Sequence, residues 1–175
     1  ASQRAKLVTP QSLEYGQQAI QCLSPPRPRS LSLPTAPTPV ANYVACVIAG
    51  NELRTSGQIP MVDGNLVYKG SVPNAQSIEN AIEAAKICGL NTIAVAKHAL
   101  DGNLERIERV LQVRVYIASS PEFEGHSTIA NGVSNLMVDI FGDAGRHSRV
   151  AIGSIGLPLS STVEVETVFQ INISD

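Results

Sequence analysis

The sequence predicts an α+β domain in which a mixed sheet carries two helices on one face. Short β-branched stretches with period-two alternation flank two longer stretches that have the 3.6-residue period of a helix. The predicted order is β-β-β-α-β-α-β-β. Because the strands come mostly in hairpins and one strand separates the two helices, both helices are expected to pack on the same face of the sheet.

The composition fits one domain with an aliphatic core. The chain has 175 residues, of which 43% are hydrophobic and only 4% aromatic. No apolar run is long enough to span a bilayer, so no membrane partner is expected. The first 40 residues carry a net charge of 4 − 1 = +3, and the remainder holds 13 − 4 = 9 cations and 15 − 1 = 14 acids, or −5. Such an acidic domain lacks the clustered Lys and Arg that bind phosphates, so no nucleic-acid partner is expected.

The first 39 residues are predicted to form a separate N-terminal arm. Residues 10–23 have helical apolar spacing, and residues 24–39 are rich in Pro and Ser, which favours an extended arm. The compact domain is predicted to span residues 40–175. The basic arm faintly resembles a transit peptide, so we expect a cytoplasmic location with a mitochondrial or other organellar one as the alternative.

The cysteines indicate neither a metal site nor a cofactor. Cys22, Cys46 and Cys88 form no CxxC motif and no Cys/His ligand pair. Cys46 and Cys88 lie in apolar surroundings and are predicted to be buried, reduced thiols, as is usual in a reducing compartment.

The first half of the domain begins with predicted strands. Residues 42–50 are β-branched and end at a Gly-Asn hairpin signal. Residues 52–61 form the return strand, which Ser56 and Gly57 interrupt. A third short strand is predicted over residues 65–70, after an Asp-Gly turn.

The two helices follow from apolar spacing and from their end signals. The first runs from the N-cap Ser77 to a stop at Asp101-Gly102. The second covers residues 126–141 and is closed by Gly142 and Gly145.

Three more strands complete the pattern, at residues 104–119, 148–155 and 162–173. In the last of these, apolar residues alternate strictly with a second set that includes Glu164 and Glu166. The face opposite the helices therefore mixes charged and apolar side chains. A half-apolar bare face of this kind indicates an interface between subunits.

Several ordered motifs resemble the YjgF/Rid family. The stretch ANYVACVIAGNELRTSGQIPM is similar to the opening hairpin of that family, with its Tyr, Gly-Asn turn and S-G-Q-I-P. The C-terminal half is similar as well, through Arg149, Leu157-Pro158 and Glu164-Val165-Glu166. The resemblance covers about residues 40–173. It implies a chorismate-mutase-like fold and a homotrimer with a barrel-like centre and ligand pockets between subunits.

The resemblance also implies an activity. One branch of the family hydrolyses reactive enamines and imines to a 2-keto acid and ammonia, and other members are named endoribonucleases of the L-PSP type. In the deaminase branch an arginine at the position of Arg149 binds the substrate carboxylate, which suits the two parallel donors of a guanidinium. Glu164 matches the carboxylate that orients water. The alternatives are a solvated edge arginine and an interface glutamate.

Four further residues match the family's pocket. They are Tyr43, Ser56, Asn131 and, through its backbone, Ala151. Tyr43 and Asn131 could equally be an ordinary half-buried strand tyrosine and a helix-surface asparagine.

The chain departs from the deaminase branch near Arg149, and in this it resembles a less characterised branch. Gly153 stands where deaminases carry an acid, and Arg146 and His147 come just before Arg149. A second cation would favour a larger or more anionic ligand, with His147 at the pocket rim, as an acid/base or simply solvated. A trimer that binds small ligands without turnover is one alternative. A ribonuclease is another, although His98 and His126 are far from His147 in sequence.

Overall fold

The computed structural model describes residues 33–36 and 42–173. The predicted helix at 10–23 and most of the predicted arm lie outside these ranges, and the division at residue 39 stays a prediction. The described strands and helices have the following bounds: β1 (Cys46–Ala49), β2 (Glu52–Thr55), β3 (Met61–Val62), β4 (Asn65–Leu66), α1 (Ile78–Ala99), β5 (Ile107–Ala118), α2 (His126–Phe141), β6 (Ser148–Ser154) and β7 (Val163–Ile171).

The main sheet is mixed, as predicted. Its strand order is β1-β2-β7-β5-β6. Strands β5 and β6 are parallel and are connected through α2, whereas the pairs β1–β2, β2–β7 and β5–β7 are antiparallel. The sheet and its two helices therefore confirm the α+β class.

The predicted strand at 65–70 differs from the structure. Only Asn65–Leu66 is a strand, and it pairs with β3 in a separate two-stranded sheet. The side-chain amide of Asn91 on α1 donates to the carbonyls of Ile59 and Met61, both at 3.1 Å. These bonds hold the segment on the helix instead of in the main sheet.

The helix ends follow the predicted signals. Ser77 accepts a hydrogen bond from the amide of Asn80 at 3.2 Å and so caps α1. After α1 the backbone turns through Asp101 and Gly102, which have φ of 53° and 87°. A positive φ suits glycine, which explains why the Asp-Gly pair ends the helix. The predicted bounds of α2 agree with the structure.

The core lies between the helices and one face of the sheet. In β5 and β7, residues that alternate along the strand are buried; they include Val113, Val115, Ile117, Val163 and Val165. Helix α2 contributes Ile129, Val133 and Met137 to the same core. This period-two and period-3.6 burial is what the sequence pattern predicts.

The cysteines lie mostly as predicted. Cys88 is buried and Cys46 is half-buried, and both are free thiols. Burial raises the pKa of each thiol above its ordinary value. Cys22 lies outside the described residues.

The opposite face of the sheet has no helix over it in the described part of the chain. Glu164 and Glu166 are half-buried there, and Val47, Val150 and Ile152 are exposed. We call this surface the open face.

We predict that replacing Gly132 by Ala destabilises the protein. A Cβ at residue 132 would overlap the backbone carbonyl oxygen of Ile82, because α1 and α2 touch there through the glycine. Overpacking against backbone typically costs about 1–3 kcal/mol. Denaturant unfolding should therefore show a loss of this size for Gly132→Ala. Gly156→Ala is the control, because a Cβ there meets nothing within 4 Å. Equal stabilities of the two variants would contradict the close helix contact.

Candidate functional site

Arg149 lies on β6 at an edge of the sheet and points towards the helices. It is in register with Val113, whose side chain is buried under α2. Its Nη1 donates to Oδ1 of Asn131 at 2.9 Å and to Oγ of Ser134 at 3.1 Å. Among the described residues, nothing accepts a hydrogen bond from its Nε or Nη2. The guanidinium is thus held by one nitrogen and presents its remaining donors, in the geometry that suits a carboxylate.

His147 contacts Ser134, one of the two residues that hold the Arg149 guanidinium. Its Nδ1 lies 2.5 Å from the carbonyl oxygen of Gly145, and its Nε2 lies 3.1 Å from Oγ of Ser134. Because a carbonyl only accepts, Nδ1 carries the proton and Nε2 accepts from the Ser134 hydroxyl. That hydroxyl oxygen in turn accepts from Arg149. The hydrogen bonds therefore run from Arg149 through Ser134 to His147.

His147 is a neutral imidazole in this network. Burial lowers its pKa below the ordinary value, the charge of Arg149 lowers it further, and the Gly145 carbonyl opposes both. Both ring nitrogens are engaged, which favours a positioning role. The predicted role of His147 in ligand binding stays a prediction.

Ala151 lies on the same side of β6 as Arg149, in register with Val115. In the described part of the chain, β6 pairs with β5 alone, so its outer edge carries backbone N–H and C=O groups that no strand satisfies. A ligand at this edge could use them, as the prediction for the Ala151 backbone requires. We call Arg149, Asn131, Ser134 and His147 with this edge the arginine half-site.

Glu164 lies elsewhere, on β7 and on the open face. It is in register with Tyr116, and its carboxylate occupies the space that a Cβ at Gly57 would fill. Burial raises the pKa of Glu164, and the charge of Glu166 raises it further. Glu164 can therefore occupy this position only because residue 57 is a glycine.

The neighbouring acid has a different environment. The carboxylate of Glu166 accepts from Nη1 of Arg114 at 3.1 Å and from the hydroxyl of Tyr116 at 3.2 Å. No cation of the described residues pairs with Glu164. Of the two acids, Glu164 is therefore the one whose charge is uncompensated and available for chemistry.

Ser56 precedes Gly57, the residue that the Glu164 side chain covers. The hydroxyl of Ser56 donates to the carbonyl of Val44 at 2.6 Å, which ties it to the segment that carries Tyr43. Tyr43 is 49% exposed. The backbone of Gln58 pairs with that of Val165, which fixes the Ser56-Gly57 segment against β7. We call Glu164, Gly57 and Ser56 the glutamate half-site.

One chain does not bring the two half-sites together. Arg149 points to the helix side of the sheet, whereas Glu164 points to the open face. Strand β5 separates β6 from β7, so about 10 Å lies between the two strands before the side chains diverge. Of the predicted residues, the structure groups Arg149 with Asn131 and Ala151, and it places Ser56 beside the Gly57 that Glu164 covers. Among the described residues, no hydrogen bond joins the Tyr43 side chain to either group.

Two polar contacts were not predicted from the sequence. Ser134 binds Arg149 and follows Asn131 by three residues, a spacing that puts both on one helix face and could have identified it. Ser119 and His126 form a second pair, with Oγ and Nε2 3.0 Å apart. These two belong to a strand end and a helix start, and no sequence pattern joins them.

The described residues contain neither a group of metal-ligating side chains nor a membrane-spanning helix. Within 33–36 and 42–173, no three side chains of His, Cys, Asp or Glu are grouped so that they could hold a metal ion. Over the same residues, neither helix has the length and hydropathy that a bilayer span requires.

Comparisons with known proteins point to one family. The family model described as "YjgF/chorismate_mutase-like, putative endoribonuclease" matches residues 28–170. Protein TCP17 of Trypanosoma cruzi is 36% identical over 143 residues, which are 81% of this chain and 89% of TCP17.

Two solved structures are similar to this chain over most of its length. Atu1372 from Agrobacterium tumefaciens, a protein of unknown function, is 39% identical with a TM-score of 0.75, over 78% of this chain and 87% of that one. A "putative endoribonuclease" from Shewanella oneidensis MR-1 is 32% identical with a TM-score of 0.78, over 81% and 93%.

We predict that Glu164→Gln stabilises the protein at neutral pH. Because the folded-state pKa of Glu164 is raised, the charged form is disfavoured in the native protein, and glutamine removes that penalty. The gain is largest above the raised pKa. It shrinks as the pH falls through that pKa and vanishes below the ordinary value of 4.5, where the glutamate is neutral in both states.

Thermal unfolding between pH 4 and pH 8 measures this difference. Glu122→Gln is the control, since this glutamate is exposed and its replacement should change the stability little. A pH-independent effect of Glu164→Gln would contradict the prediction.

Proposed function

The chain belongs to the YjgF/chorismate mutase-like family, and on this premise we propose that it binds small 2-imino and 2-keto acids in pockets between the subunits of a homotrimer. We further propose that it hydrolyses reactive enamines and imines there, to the keto acid and ammonia. The observation that carries the proposal is the division of the predicted pocket into two half-sites on opposite faces of one sheet.

An assembly of identical chains can reunite the two half-sites. Each chain offers the arginine half-site at the β6 edge and the glutamate half-site on the open face. If one chain's edge meets the next chain's open face, the contact is heterologous, and such contacts form a ring when the rotation from one subunit to the next closes. The exposed Val47, Val150 and Ile152 on the open face support burial against a neighbour. Three subunits is the number that the family resemblance implies.

Binding begins at Arg149. Its Nε and Nη2 provide parallel donors for the carboxylate of a 2-imino or 2-keto acid, while Nη1 remains on Asn131 and Ser134. The hydrogen bonds to Asn131 and Ser134 keep the guanidinium from rotating away. The free edge of β6 supplies backbone groups to the rest of a small ligand.

Hydrolysis needs a water molecule and a group that exchanges protons. An enamine first becomes the imine by gaining a proton at carbon and losing one from nitrogen. Water then adds to the C=N carbon while Glu164 accepts the proton that the water loses, and Glu164 passes this proton to the nitrogen, which gives the carbinolamine. Glu164 next takes the hydroxyl proton of the carbinolamine and delivers it to the nitrogen, so that the C–N bond breaks, ammonia leaves, the C=O bond forms and Glu164 is again a carboxylate. Overall, one imine and one water give one keto acid and one ammonia. The raised pKa of Glu164 brings it nearer to the working pH of a proton-transfer group.

Ribonuclease activity is the second candidate, and the names of the family and of the Shewanella relative favour it. The described histidines do not favour it. His98 is exposed on α1, His126 pairs with Ser119, and His147 binds Gly145 and Ser134. Metal-free RNA cleavage generally uses a pair of proton-transfer groups, and these three histidines are in separate places.

We predict that Arg149→Ala abolishes accelerated release of ammonia and keto acid from enzymatically generated 2-aminoacrylate. Arg149→Lys keeps the charge but loses the paired donors, so the rate should fall about tenfold or more. Arg109→Ala, which removes an exposed arginine from β5, is the charge-matched control and should retain activity.

Three other outcomes have distinct meanings. A wild-type protein that binds 2-keto acids through Arg149 without releasing ammonia is a binding protein and contradicts the hydrolytic part. A wild type that neither binds nor turns over these acids contradicts the whole proposal. RNA cleavage that survives Arg149→Ala would support the second candidate.

A further inference from the structure

A second polar cluster lies where the parallel strands β5 and β6 end. Oγ of Ser119, just after β5, is 3.0 Å from Nε2 of His126, the first residue of α2. Ser119 is only 8% exposed. The ring of Phe123 packs edge-on against the imidazole, with 5.1 Å between the ring centroids. The pair therefore has a defined position inside the fold.

This pair lines a cavity of about 280 Å³. Gly153 and Ser154 of β6, and Ile155 just after β6, line the same cavity. Gly153 is required for the pair. A Cβ at this residue would lie 2.6 Å from Nε2 of His126 and 2.7 Å from Oγ of Ser119. Every other residue type would push the imidazole out of place. The His126 imidazole can therefore occupy its position only because residue 153 has no side chain.

The chemistry of the pair suits an anion. An imidazole and a hydroxyl each have at least one donor, and the bond between them uses only one. Either the N–H of the ring or the hydroxyl is left to donate to a ligand. No acidic residue lines this cavity, and Glu122 and Glu124 of the same loop are exposed.

The cluster lies on the same side of β6 as Arg149. Gly153 and Arg149 are on one side of β6, four residues apart, which is about 13 Å at 3.3 Å per residue. On α2, His126 precedes Asn131 by five residues, or about 7.5 Å of helix. The two groups are therefore about 7–13 Å apart along the backbone, and a charge-assisted hydrogen bond of about 2.8 Å at each end of a ligand takes up part of this distance. That separation matches a short dicarboxylate.

We propose that Ser119 and His126, with room provided by Gly153, form a subsite for a distal carboxylate, so that the preferred ligand is a dicarboxylic 2-keto or 2-imino acid. This inference rests on the proposed function, because Arg149 binds the first carboxylate. The expected ligand changes from a small monocarboxylic acid to a dicarboxylic acid, which carries one more negative charge. His126 is a specificity-determining residue in this account and takes no part in the hydrolysis.

Calorimetric titration with 2-oxoglutarate and 2-oxobutyrate tests the subsite. The wild type should bind 2-oxoglutarate about tenfold or more tightly than 2-oxobutyrate, as expected for one additional charged hydrogen bond. His126→Ala should remove this preference and change 2-oxobutyrate binding less than about twofold. Gly153→Ala should act in the same way, because its Cβ displaces the imidazole. His98→Ala, on the exposed surface of α1, is the matched control.

The outcomes separate this inference from the function on which it rests. Equal binding of the two acids by the wild type, with both lost in Arg149→Ala, would overturn the subsite and leave the proposed function in place. A loss of both acids in His126→Ala, with an unchanged melting temperature, would also overturn it, since a distal subsite cannot bind the shared carboxylate. Binding of neither acid by the wild type would overturn both proposals.

Discussion

The alternation of side chains across the sheet is the constraint on which the rest of this molecule depends. Because α1 and α2 cover one face, residues in register with Val113 face the helices and residues in register with Tyr116 face away from them. Arg149 belongs to the first set and Glu164 to the second. No rotamer change within one chain moves a side chain through the sheet. A site that uses both residues therefore needs a second chain, which is the basis of the proposed assembly.

Close packing at glycines sets the details within this frame. Gly57 makes space for the Glu164 carboxylate, Gly132 lets the two helices touch, and Gly153 makes space for His126. In each case the missing Cβ allows another group to approach. The positions of Glu164 and His126 thus depend on residues that carry no functional group themselves.

Much of the fold was predictable because it depends on local patterns. The 3.6-residue stripe, the Ser77 cap and the Asp101-Gly102 stop define α1, and strict alternation defines β7. The short β3–β4 pair was not predictable in this way, because the tertiary hydrogen bonds from Asn91 decide its place.

The candidate site was likewise predictable only in part. Motif resemblance singled out Arg149 and Glu164, but their separation by the sheet and the Ser119–His126 pair depend on register and on contacts distant in sequence.

Mixing two inactive variants is the most direct test of a site shared between chains. Arg149→Ala subunits retain the glutamate half-site, and Glu164→Gln subunits retain the arginine half-site. If the two are unfolded and refolded together, an intact site forms wherever an Arg149 from one variant meets a Glu164 from the other. Random mixing makes this about one quarter of the interfaces, so we predict recovery of about one quarter of wild-type ammonia release. Mixed assemblies, verified by mass, that stay as inactive as each variant alone would contradict the shared site.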